Sequence, residues 1–269
     1  MDIGELSRAY ADYNRKLSSR KPPMRHTALP VLLSLLAASP GAHGAPEATQ
    51  VYLDNGELHY VGALDEEANK RLFVLYDGLA DKPTVLSIRS KGGEIDVGMG
   101  LGHWVHERRL DIKVLEYCMS SCANYVFPAA RRKTVSNFAV IGYHGGPSSG
   151  KVGISASFQK IIDAMPPEER KTFMEDIDKS IKADGDKELA YLRSLGVRED
   201  LSTLGQQPRY QQLFEPHPDI LGWTYSLEGF ARLGVHGITV INPPWKPGSA
   251  MRKVSFVLIE PEPTPDQTP

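Results

Sequence analysis

Apolar and polar positions alternate along the chain first with a period of two, then with a period of three to four. In "VYLDNGELHYVGAL" (51–64) apolar residues flank Asp54, Asn55 and Gly56, which predicts a hairpin. "DEEANKRLFVLY" (65–76) offers an N-cap in Asp65, acids in the first turn, and Leu72, Phe73 and Tyr76 at helical spacing. "TVLSIRS" (84–90) predicts a strand, ended by Gly92 and Gly93. "EIDVGMGLGHWVHERRL" (94–110) then predicts a helix with Ile95, Met99 and Val105 toward the core. "DIKVLEY" (111–117) is the next strand, "SSCANYVFPAA" (120–130) a helix ending near Pro128, and "KTVS" and "FAVIGYH" are further strands. Strand, turn and helix thus follow one another twice, over 84–110 and 111–130. That succession predicts an α/β fold with parallel pairing and right-handed crossovers.

From 154 to 196 the pattern is helical and heavily charged, and "PPEERKTF" has prolines followed by acids, a good helix start. "YSLEGFARLGV" predicts a short helix capped by Ser226, and "ITVI" and "KVSFVLIE" predict strands. The proline-rich residues 260–269 read as a disordered tail, which leaves 45–259 as one α/β domain. Composition is that of an ordinary globular protein, with 41% hydrophobic and 24% charged residues among 269. With 31 basic against 33 acidic residues, there is no positive excess to displace counterions, and nucleic acid is excluded as an electrostatic partner.

The start of the chain has its own pattern. Residues 24–44 have a basic beginning at Arg25 and His26, an apolar run over 28–38, and small residues Ala42 and Gly44 before Ala45. This is the layout of a secretory signal peptide, with an apolar run short for a bilayer span. Residues 1–23 are polar and suit no signal peptide, so they read as a disordered or non-native leader with Met24 as the start of translation. The expectation is an exported, periplasmic protein, or one anchored through 28–38 where the signal stays uncleaved.

Candidate chemistry gathers in three places. Gly92 and Gly93 lie where a strand passes into a helix, so backbone N–H groups there can hold an anion or a developing oxyanion. The Gly-Lys-Ser/Thr ending of a phosphate loop is absent, and "GMGLG" falls inside the helix, where close packing accounts for it. Ser120 and Ser121 occupy the second strand–helix junction, 28 residues after Gly92, and His144 follows Ser120 by 24. A Ser–His pair beside an oxyanion turn is the minimum for nucleophilic acyl transfer. His103 and His106 lack a third ligand, so no metal is expected, and no cofactor is implied. Cys118 and Cys122 also lack partners for a metal site and are spaced too widely for a Cys-x-x-Cys redox motif. In an oxidising compartment they suit a disulfide that fixes the turn presenting Ser120; two buried thiols are the alternative.

The order "LSIRSKGG", "CMSSCANYVFPAARRK", "VIGYHGG" resembles the caseinolytic protease subunit ClpP and its crotonase-like relatives. It is more similar still to exported ClpP-like bacterial proteins with a Cys-x-Ser-small-Cys motif. The resemblance runs over about 51–241 and is strongest over 86–146. It implies the ClpP/crotonase superfold of repeated ββα units, with oxyanion donors at Gly92 and Gly93. Ser120 is implied as nucleophile, with Ser121 as the alternative when ClpP's own string is aligned. His144 is implied as base, and Asp219, ahead of the Ser226-capped helix, as its orienting acid. The implied function is a serine hydrolase acting on a peptide or protein substrate. A catalytically inactive peptide-binding module and a crotonase-type acyl-thioester enzyme are the alternatives. A homo-oligomer is compatible with the resemblance.

Overall fold

The computed structural model describes residues 48–150, 156–214, 220–247 and 255–262. The leader, the signal-like segment with its apolar run, Asp219 and tail residues 263–269 lie outside the described residues.

The hairpin forms as expected. β1 (Gln50–Asp54) and β2 (Glu57–Val61) pair antiparallel through Asn55 and Gly56, both at positive φ (48° and 77°). Helix α1 (Glu66–Gly78) begins at Asp65, whose carboxylate accepts the Ala68 N–H. β3 (Val85–Arg89), α2 (Ile95–Glu107) and β4 (Asp111–Val114) complete the first strand–helix–strand unit. The central sheet adds β6 (Lys133–Ser136) and β9 (Ile238–Ile241), in the order β1-β2-β3-β4-β6-β9, parallel from β2 onward. Leu58 and Tyr60, Leu86 and Ile88, and Ile112 and Val114 alternate as fully enclosed residues along β2, β3 and β4. Burial of that face under the helices is the main stabilising term for the domain. α2 turns Ile95, Met99, Leu101, Trp104 and Val105 into the core.

"DIKVLEY" does not form one strand. Its first part is β4, and after a bend at Leu115 and Glu116 the chain leaves the central sheet as β5 (Tyr117–Met119). Ser136 Oγ donates to the Leu115 carbonyl at the bend (2.7 Å), and Arg89 pairs with Glu116 (2.8 Å). β5 pairs in parallel with β7 (Val140–Gly142), which is joined through a Tyr143–Trp223 bridge to β8 (Ile220–Tyr225). β8 pairs in parallel with β10 (Ser255–Ile259). These strands lie outside the central sheet, and β5 and β7 lead into Ser120 and His144. A buried cation sits on β6: the Lys133 ammonium donates to the Ala130 and His236 carbonyls, and burial lowers its pKa to about 8.

After the single turn α3 (Phe127–Ala129), the charged stretch beyond residue 154 forms two helices, α4 (Ala156–Asp163) and α5 (Pro167–Ser194), divided at Pro166. Ile162, Met165, Phe173, Ile177 and Ile181 form a small apolar cluster of their own between them. α6 (Pro208–Gln211) and α7 (Leu227–Arg232) are short, and α7 is capped by Ser226 Oγ, which accepts from Gly229 N–H (2.9 Å). Among the described residues no helix is long and apolar enough to cross a membrane.

Candidate active site

Two strand-to-helix junctions face each other here. In the first, between β3 and α2, Gly92 adopts φ +96° and its N–H donates to Ser90 Oγ (3.1 Å). A Cβ on Gly92 would lie 2.6 Å from Ser120 Cβ, and one on Gly93 would overlap the Leu64 carbonyl oxygen. Both glycines are thus required by close approach of backbone from the hairpin side and from the second junction. Gly92 contributes shape, since its donor is occupied; no hydrogen bond among the described residues engages the Gly93 N–H.

In the second junction β5 leads directly into a helical stretch. Residues Cys122–Val126 wind as one π-helical segment and continue into the single α-turn Phe127–Ala129. Met119 N–H donates to the Ser90 carbonyl (3.0 Å) and Ser120 N–H to the Gly142 carbonyl (2.9 Å), so the junction hangs on both β3 and β7. Ser120 is left-handed at φ +54°, an uncommon state for a residue with a Cβ. Cys118 and Cys122, both fully buried, are joined as a disulfide with Cα atoms 5.3 Å apart. The bridge closes around the left-handed residue.

The two serines part company at this turn. Ser121 is buried and its hydroxyl donates to the Gly93 carbonyl (2.7 Å), tying the second junction to the first. Ser120 instead places Oγ 2.7 Å from His144 Nε2. The N–H of Ser121 has no partner among the described residues, so it and the Gly93 N–H are the available donors at the meeting of the junctions. A cavity of about 330 Å³ opens over them, walled by Leu64, Ile95, Tyr125 and Pro147, with Ser120 and His144 at its edge.

His144 itself is exposed and follows Tyr143, which is fully buried and held by two backbone hydrogen bonds to Trp223 (2.8 Å each). Gly222 of β8 makes this pairing fit, because a Cβ there would overlap the Tyr143 carbonyl. Burial holds the phenols of Tyr143 and Tyr225 far above their ordinary pKa, which makes them neutral packing groups. Asp219 lies outside the described residues, as does His217. Of the other described histidines, His103 meets the Tyr191 ring edge-on, His106 Nδ1 lies 3.4 Å from the Ala129 carbonyl, His59 stacks on Tyr52, and the His236 carbonyl accepts from Lys133. Among the described residues no group of three or more His, Cys, Asp or Glu is placed to hold a metal ion.

Three contributors were not apparent from the sequence. Ser90 takes the Gly92 N–H; Asn124 donates from Nδ2 to the Gly145 carbonyl (3.0 Å); Glu188 of α5 accepts from Tyr125 Oη and from Ser148 N–H. A signal for the last existed: Glu188 interrupts the otherwise non-polar stripe Ile177, Ile181, Gly185, Leu192.

No protein-family model matches the chain, and no curated protein sequence is similar to it.

Proposed function

We propose that the protein is an exported ClpP-like serine hydrolase, and specifically a peptidase, with its site at the two facing junctions. The observation that carries the reading is the 2.7 Å contact between Ser120 Oγ and His144 Nε2. At that separation the imidazole takes the hydroxyl proton as Oγ attacks a carbonyl carbon. The resulting oxyanion would lie between the N–H groups of Gly93 and Ser121. The imidazolium then returns its proton to the leaving amine, and water enters by the same route to release the acid. Asp219 is assigned the part of orienting the imidazole.

Further features support the reading. Repeated strand–strand–helix units, with further strands outside the central sheet, are compatible with the ClpP/crotonase superfold. A buried disulfide suits an oxidising compartment, and hence export. A left-handed Ser120 at a strand–helix turn matches the sharp backbone that presents a nucleophile in hydrolase folds.

A fluorophosphonate probe tests the assignment on oxidised protein beginning at Ala45. Labelling is expected in the parent and in Ser121→Ala, and is lost in Ser120→Ala. Absence of labelling across pH 6 to 9 would sink the hydrolase and leave a peptide-binding module. Labelling that survives Ser120→Ala would overturn the choice of nucleophile.

A further inference from the structure

We infer that Glu188, on the long helix α5, is a positioning residue that sets His144 against Ser120; the inference rests on the hydrolase reading above. Glu188 is 0% exposed, although it lies far from the candidate nucleophile in sequence. Taking a carboxylate out of water is costly unless its oxygens find donors. They do, and both donors belong to the site. Tyr125 Oη donates to Oε1 (2.9 Å), and Ser148 N–H donates to Oε2 (3.0 Å). Tyr125 lies on the helical segment that Ser120 opens, and Ser148 lies on the segment that leaves His144. One carboxylate therefore spans the two pieces of chain whose separation defines the Ser–His contact.

The surroundings admit this arrangement only narrowly. A Cβ on Gly146 would come 2.6 Å from Glu188 Oε2 and 2.6 Å from Ser202 Oγ, so the carboxylate packs on a bare Cα. One turn further along α5, Tyr191 Oη donates to the Tyr125 carbonyl (2.7 Å), so α5 grips the nucleophile-bearing segment twice. From the other side, Asn124 Nδ2 holds the Gly145 carbonyl (3.0 Å). Gly145 itself stands at φ +134°, a backbone state that external contacts must maintain in one geometry. Without the carboxylate, the Gly145–Ser148 segment loses its hydrogen bond to α5 while keeping the Asn124 bond and its packing on Gly185 and Gln206, and the imidazole that precedes it is set less closely against Ser120.

The test uses full-length oxidised protein with the Glu188→Ala, Glu188→Gln and Tyr125→Phe variants. A displacement of about 1 Å at a catalytic group costs on the order of 10²-fold in rate. Glu188→Ala is expected to lose about that much in the first-order labelling step, with the probe's binding constant unchanged. Glu188→Gln should recover most of it, because its Oε1 still accepts from Ser148 and its Nε2 can donate to the Tyr125 oxygen. Tyr125→Phe should fall between them, and it decides the matter if the alanine variant fails to fold. Wild-type labelling rates in the folded Ala and Phe variants would overturn the proposal. Amide exchange gives a readout independent of chemistry: the Ser148 N–H should be protected in the parent and exposed in Glu188→Ala. A Ser148 amide that exchanges freely in the parent overturns the clamp even if labelling succeeds. A protected amide with no labelling in the parent leaves the clamp standing and removes the hydrolase reading instead. In that case a change of the His144 imidazole ¹⁵N shift in Glu188→Ala supports the positioning role, and an unchanged shift refutes it.

Discussion

The two junctions solve one geometric problem in different ways. Both turn a strand into a helix with a residue at positive φ, Gly92 at +96° and Ser120 at +54°. At the first, only backbone is needed, and glycine supplies the conformation at little steric cost. At the second, the proposed nucleophile needs a hydroxyl on that same kind of residue, so glycine would not serve and the conformation has to be imposed. The imposing contacts are the Cys118–Cys122 bridge, the Ser120 N–H bond to Gly142 and the Asn124 N–H bond to the Ser120 carbonyl (2.8 Å). Where the left-handed residue carries a side chain, a cross-link stands beside it in place of glycine's freedom.

The comparison breaks most completely when the first junction is given side chains. In Gly93→Ala the new methyl overlaps the Leu64 carbonyl and must push the turn away from Ser120. Loss of one oxyanion donor costs about 10²–10³ in turnover, so probe labelling should fall by at least that factor. Gly92→Ala should do the same by a different path, since its methyl meets Ser120 Cβ and its φ becomes strained. Labelling at the parental rate in both variants, measured on folded protein, would remove the first junction from the mechanism.

Removing the cross-link is the next largest change. A loop of five residues closed by a disulfide is worth about 2 kcal/mol in the chain-entropy account. The Cys118→Ser/Cys122→Ser variant should therefore lose about that much stability in a urea titration. Its labelling rate should drop by about 10-fold more than the stability loss explains, since at roughly 2 kcal/mol below the parent most molecules remain folded. Equal labelling in a fully folded double variant would show that the sheet contacts alone hold Ser120. Ser121→Ala is expected to be milder still. It removes the hydroxyl bond to the Gly93 carbonyl but keeps its own N–H, a loss on the order of 1 kcal/mol and a several-fold drop in rate. A fall as deep as that of Ser120→Ala would mean that the two serines share the chemistry.

Much of this arrangement could be read from residue order, and the parts that could not have a common cause. The hairpin, both junction helices and the parallel sheet follow from local periodicity and turn chemistry, which short windows express. Gly92, Gly93, Ser120 and His144 drew attention because each follows a strand in the pattern, where small or polar residues interrupt the apolar run. The split of "DIKVLEY" was not visible, because Leu115 and Glu116 look like any strand residues until Ser136 and Arg89 bond to them from elsewhere. β8 escaped notice because Gly222 interrupts its run, and only the approach of Tyr143 requires that glycine. Glu188 lies 63 residues from its Tyr125 partner, and nothing local says which segment an acid on a buried stripe will meet. Tertiary contacts of that range are what single-chain pattern reading misses.

The smallest effect is the sharpest test of the comparison itself. If Ser120 is truly held left-handed against its preference, a glycine there should be better tolerated than an alanine. Both Ser120→Gly and Ser120→Ala lack the hydroxyl and its contact with His144, so that loss cancels between them. Alanine keeps the left-handed penalty of roughly 1–2 kcal/mol for a residue with a Cβ. Glycine escapes it but gains about 0.4–1 kcal/mol of unfolded-state freedom. The glycine variant should therefore be the more stable by on the order of 1 kcal/mol in urea denaturation with the disulfide intact, reversing the usual preference for alanine beside a helix. An alanine variant as stable as the glycine one would mean that the second junction relaxes without its hydroxyl. The positive φ would then belong to the Ser–His contact and not to the disulfide-bound turn.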